Sequence, residues 1–224
     1  MLSPLISATV SEMIVTIDGP SGTGKSTVSK AVASMAGLPH LDTGAFYRAA
    51  TLAALSEAID LADANAVGAV VSGISLDQNR GLMFLDGDDV SVEIRGERVT
   101  DAVSQVSSHA EVRRILVSRQ RGWVAEHEGR AVVEGRDIGS VVFPDATLKF
   151  YLDARPEVRA MRRASQVGDD PDQVIEDLAR RDHLDSTREA SPLTVPDGAV
   201  IVDTSDLMFD EVVEKIVSLI SAKS

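Results

Sequence analysis

Residues 19–27, G-P-S-G-T-G-K-S-T, constrain this chain more than any other stretch. They fit G-x-x-x-x-G-K-S/T, with Gly19, Gly24, Lys25 and Ser26 at the fixed places. Gly22 and Gly24 carry no Cβ, so the backbone can turn tightly and close on a ligand. Successive N–H groups then point inward as an anion nest, and a helix starting near Lys25 aims its positive end at the same spot. Lys25 can reach the β- and γ-phosphates of a nucleotide, and the Ser26 hydroxyl can ligate Mg²⁺. The whole loop, Gly19, Pro20, Ser21, Gly22, Thr23, Gly24, Lys25, Ser26 and Thr27, is the candidate phosphate cradle. Its flanks agree. Residues 13–17 (M-I-V-T-I) form a short apolar run suited to a buried parallel strand. Val28, Val32 and Met35 follow at helical spacing. Strand, loop and helix in that order make a chance glycine-rich turn a poor account.

A loop of this kind needs an open α/β sheet around it, and 224 residues suffice for one such domain with insertions. At 44% hydrophobic, the chain can bury a core. It has no cysteine, which removes disulfides, thiolate metal sites and a thiol nucleophile, and no apolar run reaches membrane-spanning length. Residues 1–12 lack the pattern of a signal peptide and are expected to form a loose N-terminal extension, so the expected compartment is the cytoplasm. The net charge of −13 opposes long nucleic acid as a partner. Of the 22 basic residues only 5 are lysine, and many of the arginines fall between Arg113 and Arg188. Arginine binds phosphate and carboxylate with a planar fork, so an acidic chain that gathers arginine is suited to a small, highly charged anion. Solvated helix faces account for some of these residues.

Along the chain, residues 38–41 predict a second strand, and D-T-G-A-F-Y-R predicts a loop feeding a helix to about residue 58. Arg48 then lies near the carboxyl edge of the sheet, where open α/β folds bind ligands. Residues 59–103 break into short alternating runs (G-I-S-L-D, G-L-M-F-L-D-G, V-S-V-E-I-R-G) and predict a small antiparallel insert. A single long helix is expected over 104–127, and a buried strand over 131–133 running into E-G-R-D-I-G. Arg136 and Asp137 suit either a site at a strand end or a buried ion pair, and the glycine-flanked loop favours the site. After a strand over 147–152, Arg155, Arg159 and Arg162 are spaced to share one helix face, which repels itself unless an anion neutralises it. G-D-D-P at 168–171 is a candidate hinge, and Arg181, Asp185 and Arg188 share a face on the next helix. A last strand over 199–202 and a closing helix over 210–220 complete the pattern.

With the loop, D-T-G-A-F-Y-R, the β insert, G-R-D-I-G-S-V-V-F-P-D-A and the arginine-rich tail together, the chain resembles the bacterial cytidylate kinases from about residue 13 to its end. The resemblance implies a P-loop nucleoside monophosphate kinase fold. That is a parallel sheet flanked by helices, with a small antiparallel insert at about 59–103 and a helical lid at about 155–170 in one domain, 13–224. It implies transfer from ATP to CMP or dCMP with Mg²⁺, by a monomer acting on small molecules. Thr43 and Arg48 resemble the positions that meet the CMP phosphate side. Many family members have Ser where this chain has Thr43, which keeps the hydroxyl in a slightly tighter fit. Ser104, Arg113 and Asp137 resemble those that read the cytosine edge. Arg136 and Arg188 look like further phosphate contacts, and Arg181 and Asp185 like those that hold the ribose. Lys25 and the lid arginines Arg155, Arg159 and Arg162 would surround the transferring phosphoryl group. Shikimate- or gluconate-type kinases share the phosphate loop but phosphorylate a hydroxyl, and the insert and G-R-D-I-G stretch speak against them. A guanine-nucleotide switch needs N-K-x-D, and the chain has no Asn-Lys pair.

Overall fold

A computed structural model of the protein describes residues 12–167, 170–188 and 191–223. Most of the expected N-terminal extension and half of the 168–171 break lie outside the described residues. Five strands form one parallel sheet in the order β2-β6-β1-β7-β8. They are β1 (Met13–Asp18), β2 (His40–Asp42), β6 (Arg130–Glu134), β7 (Leu148–Asp153) and β8 (Val200–Asp203). Residues of β1 such as Val15 and Ile17 are fully buried, because a central parallel strand is covered on both faces. On one face α1 (Lys25–Ala36) and α8 (Phe209–Ser221) cover the sheet, with Val32, Phe150, Leu152 and Ile216 between them. On the other, α2 (Thr43–Ser56) and α5 (Ala110–Glu126) enclose Leu41, Phe46, Val133 and Trp123.

The insert holds more than a sheet. It begins with α3 (Ala64–Gly73), capped by the Asp63 carboxylate, and then forms the antiparallel strands β3 (Leu76–Asn79), β4 (Leu82–Leu85) and β5 (Asp88–Asp89). Buried Gln78 fastens it to the free edge of β2. Its Oε1 accepts from Asp42 N at 3.0 Å and its Nε2 donates to His40 O at 3.2 Å.

Two local expectations are corrected. V-S-V-E-I-R-G buries Val90 and Ile94 and exposes Val92, although a strand would put all three on one face, and burial at i and i+4 is the spacing of a helical turn. The segment winds instead into a 3₁₀ turn, Glu93–Arg95. The single helix expected over 104–127 is two, α4 (Glu97–Ser108) and α5, broken at His109. The His109 backbone is extended, and its Nε2 is 2.8 Å from Leu61 O, so a tertiary bond interrupts a continuous helical pattern. The chain then forms α6 (Pro156–Val167) and α7 (Pro171–Thr187). This pair carries a small apolar cluster of its own: Ala160, Ala164, Val174 and Leu178. Among the described residues no helix is long and apolar enough to cross a membrane.

Candidate active site

A cleft of about 1140 Å³ runs along the carboxyl edge of the sheet. The phosphate loop forms its middle. Gly24 caps α1 in the left-handed region (φ 87°), which gives the helix its sharp start facing the cleft. A side chain at Gly22 would meet Arg159 O at 2.9 Å, so this glycine lets α6 press against the loop. The Lys25 side chain folds back, with Nζ donating to Pro20 O at 2.6 Å. Burial, and then the Arg136 charge, push its pKa well below the ordinary lysine value. A triphosphate in the loop would add opposite charge beside this ammonium and offset its burial.

At one end of the cleft the structure brings together Arg48, expected on the CMP phosphate side, and Arg181, expected at the ribose. Arg48 donates to Ile94 O at 3.3 Å and to Thr100 Oγ1 at 2.9 Å, and Arg181 NH2 reaches Thr100 O at 3.4 Å. Among the described residues no carboxylate lies within ion-pair distance of either. Burial and the Arg181 charge push Arg48 down to about 10, and burial and Arg163 lower Arg181. Buried cations that depress one another in this way are relieved by an anion.

Deeper, Arg113 pairs with Asp137, both almost fully buried. The Arg113 guanidinium stands 5.2 Å from the Tyr47 ring centroid, and its NH1 donates to Ser107 O at 3.2 Å. An alternating chain of charge leads from there to the phosphate loop. Arg188 lies 3.6 Å from Asp137 and 3.4 Å from Asp185, and Arg136 Nε donates to Asp185 at 2.9 Å. Arg136 then donates to Gly19 O at 3.2 Å and Ser21 Oγ at 3.3 Å. Arg136 and Asp137 thus line the cleft and belong to one ion-pair network. Ser104 lines the cleft beside this group. Thr43 lines it too, but its hydroxyl is buried and donates to Glu134 O at 2.7 Å, so it braces the strand end.

The three arginines expected to share a helix face are separated. Arg155 precedes Pro156, so the helical period does not aim it; its fork holds Asp206 at 2.7 and 2.6 Å on the exterior, away from the cleft. Arg159 is buried and donates to Ser21 O at 3.0 Å and Asp182 at 2.5 Å. Arg162 alone of the three lines the cleft, donating to Thr204 Oγ1 at 2.9 Å, and Arg163 joins it.

Residues 15–222 match the family described as cytidylate kinase. The chain belongs to the cytidylate kinase family. It is 50% identical to a cytidylate kinase of Rhodococcus opacus (strain B4), over 96% of this chain and 97% of that one. It is also 50% identical to one of Mycobacterium leprae (strain Br4923), over 96% and 98%. Among solved structures, an uncharacterized protein from Eubacterium ventriosum ATCC 27560 shares the fold, with a TM-score of 0.54 at 11% identity over 95% of this chain and 99% of that one.

For this cytidylate kinase family member, sequence reasoning missed three parts of the cleft and one buried residue behind it. Leu207, Met208 and Phe209 form an apolar wall at the end of β8, with Met208 73% exposed. The strand-edge rule that marked Arg136 applies equally there. Tyr47 lies inside D-T-G-A-F-Y-R, and its buried hydroxyl has no hydrogen-bond partner. Glu134, at the end of β6, is buried beside Lys25 and Ser26. Burial opposes its charge, yet His40, Lys25 and the Ser26 hydroxyl hold its carboxyl below the usual range. Its Oε1 makes no hydrogen bond and lies 3.4 Å from His40 Nε2. Asp18, the last residue of β1, has no exposed surface and pointed to nothing in the sequence.

Proposed function

We propose that the chain transfers the γ-phosphoryl group of ATP to CMP or dCMP, giving ADP and CDP or dCDP. Family membership supports the reaction, and one observation carries the base assignment: the buried Arg113–Asp137 pair sits in the same cleft as the phosphate loop. The loop and Lys25 would hold the donor phosphates, with the apolar wall at 207–209 beside the donor base. Arg48 and Arg181 would take the acceptor phosphate and sugar, with Arg136, Asp185 and Arg188 beside them. Asp137 accepts from the cytosine amino group and Arg113 donates to the ring acceptors, with Ser104 beside them. Uracil presents a carbonyl to Asp137, acceptor against acceptor, and a site left with unpaired buried groups rejects the analogue.

The residues present fit Mg²⁺. The Ser26 hydroxyl opens on the cleft, and the Glu134 oxygen that lacks a hydrogen bond lies on the same side. Among the described residues no group of three or more His, Asp or Glu could hold a metal. Ser26 would hold the ion, with Glu134 beside it, and the ion would neutralise charge on the nucleotide phosphates. The protein's own work is positioning and electrostatics. A phosphate oxygen is already an anionic nucleophile, so no strong base is required, and Lys25, Arg162 and Arg163 face the charge of the transferring group. The α6–α7 pair acts as the lid that excludes water.

The test is Asp137→Asn, assayed with CMP, dCMP and UMP. Loss of a buried charged hydrogen bond costs roughly 1.5–3 kcal/mol, so kcat/KM for CMP should fall about ten- to a hundredfold and the CMP/UMP ratio should narrow. A variant with the wild-type ratio would return the Arg113–Asp137 pair to a structural role.

A further inference from the structure

Asp18 ends β1, and its carboxylate crosses to the loop that follows β6. One oxygen accepts from Ile138 N at 2.8 Å and the other from Gly139 N at 2.8 Å. These are the first two amides of a helical turn, Ile138–Val142, and such amides have no partner within their own turn. The residue just before a turn ordinarily satisfies them, and aspartate is among the favoured types. Asp137 stands in that place, and its carbonyl accepts from Val141 N at 2.9 Å. Yet its side chain makes no capping bond. The carboxylate pairs with Arg113 instead and lies 3.6 Å from Arg188.

We propose that Asp18 is a positioning residue for cytosine recognition: by capping the 138–142 turn from the neighbouring strand, it leaves the Asp137 carboxylate free for Arg113 and the base. The inference rests on the reading of Asp137 as a base-contacting residue. Without Asp18, two buried amides seek an acceptor, and the Asp137 carboxylate is the adjacent one. Its rotation toward the turn breaks the pair with Arg113. The turn cannot retreat, because it is pressed onto β1: a side chain at Gly139 would meet Thr16 Oγ1 at 2.7 Å. The charge at Asp18 is expensive. Burial, offset by the two amides and then worsened by Asp137, pushes its carboxyl up to about 6. Asp18 also adjoins Gly19, whose carbonyl accepts from Arg136, so the donor loop and the base-reading loop are joined at this point.

The experiment is a double-mutant cycle of Asp18→Asn and Asp137→Asn, read as kcat/KM for CMP and UMP, KM for ATP, and the urea midpoint. Asparagine keeps the shape of Asp18 but turns an NH₂ toward one of the two amides. Asp18→Asn should lower kcat/KM for CMP about tenfold and narrow the CMP/UMP ratio, with KM for ATP within about twofold of wild type. In the Asp137→Asn background it should leave the ratio unchanged, because Asp18 acts through Asp137. If Asp137→Asn narrows the ratio and Asp18→Asn does not, Asp18 is only structural. Equal rises in KM for ATP and CMP would place its action on the phosphate loop and overturn the proposal. If Asp137→Asn itself leaves the ratio unchanged, the base reading fails and takes this inference with it. Should Asp18→Asn not fold, amide exchange in the nucleotide-free wild type decides. Ile138 and Gly139 amides as protected as those of β1 support the cap, and exchange at exposed-loop rates overturns it.

Discussion

The floor of the cleft and the α6–α7 arm both hold arginines, and they hold them by different means. In the floor, Arg113 is carried by α5 and Asp137 follows the end of β6, two elements with fully buried residues such as Leu116 and Val133. The arm has four buried apolar residues of its own and meets the rest of the site through polar bonds. Arg159 reaches Ser21 O, Arg162 reaches Thr204, and Asp185 takes Arg136. A side chain anchored in a large core keeps one position, whereas a few hydrogen bonds can be exchanged for others. On the proposed reading, recognition of the base falls to the floor and closure over the phosphates to the arm.

The largest effect is expected from removing the phosphate-loop cation, which the free protein holds at a cost. Lys25→Ala should lower kcat by about a thousandfold or more, in line with loss of a transition-state donor. Its urea midpoint should stay at or above that of wild type, because burial already disfavours the ammonium. A folded variant with near-normal turnover would remove Lys25 from the chemistry.

Paired core truncations test the anchoring. Leu152→Ala, at a fully buried site in the main core, should cost roughly 2–5 kcal/mol of global stability. Leu178→Ala, in the arm cluster, should leave the main urea transition nearly in place while amide protection over 171–187 falls and kcat drops. Equal global losses in the two variants would show that the arm is not a separate unit.

The smallest effect concerns pH. Asp18 is raised from its ordinary 3.8 to about 6, so the folded protein binds this proton more tightly than the unfolded chain does. Its contribution to stability is fully present below about pH 4 and is lost as pH rises through about 6. A shift of that size corresponds to about 3 kcal/mol as an upper figure. Between pH 4 and pH 7 wild type should therefore lose up to that amount relative to Asp18→Asn, measured by urea midpoints. Parallel profiles for the two proteins would show that Asp18 does not titrate in this window.

The parallel sheet, the phosphate loop and the positions of Arg48, Arg136 and Asp137 were legible because each follows from a local rule, whereas Arg113 was singled out only by the family resemblance. A β-branched run predicts a strand, and a strand end predicts a site edge. What escaped depends on partners distant in the chain. The bond between His109 and Leu61 splits a helix whose own periodicity is unbroken. Arg155 lies one residue before Pro156, and one residue decided whether it shared a helix face. The role of Asp18 is set by amides 120 and 121 positions away, which no spacing rule within β1 can reveal.

The arm's bonds have a thermodynamic consequence for ligand binding. Arg159 is already bound to Asp182, and Arg136 to Asp185. A phosphate that draws on either must displace an internal counter-ion, so the reaction is a metathesis of ion pairs rather than the filling of vacant charge. Its free energy is a difference between two similar terms, and the carboxylate left behind repels the newcomer. Such an exchange releases few ions to solvent, so nucleotide affinity at those contacts should vary weakly with ionic strength. Arg48 and Arg181, which give up only neutral partners, are where a monophosphate gains outright and where salt competes with it.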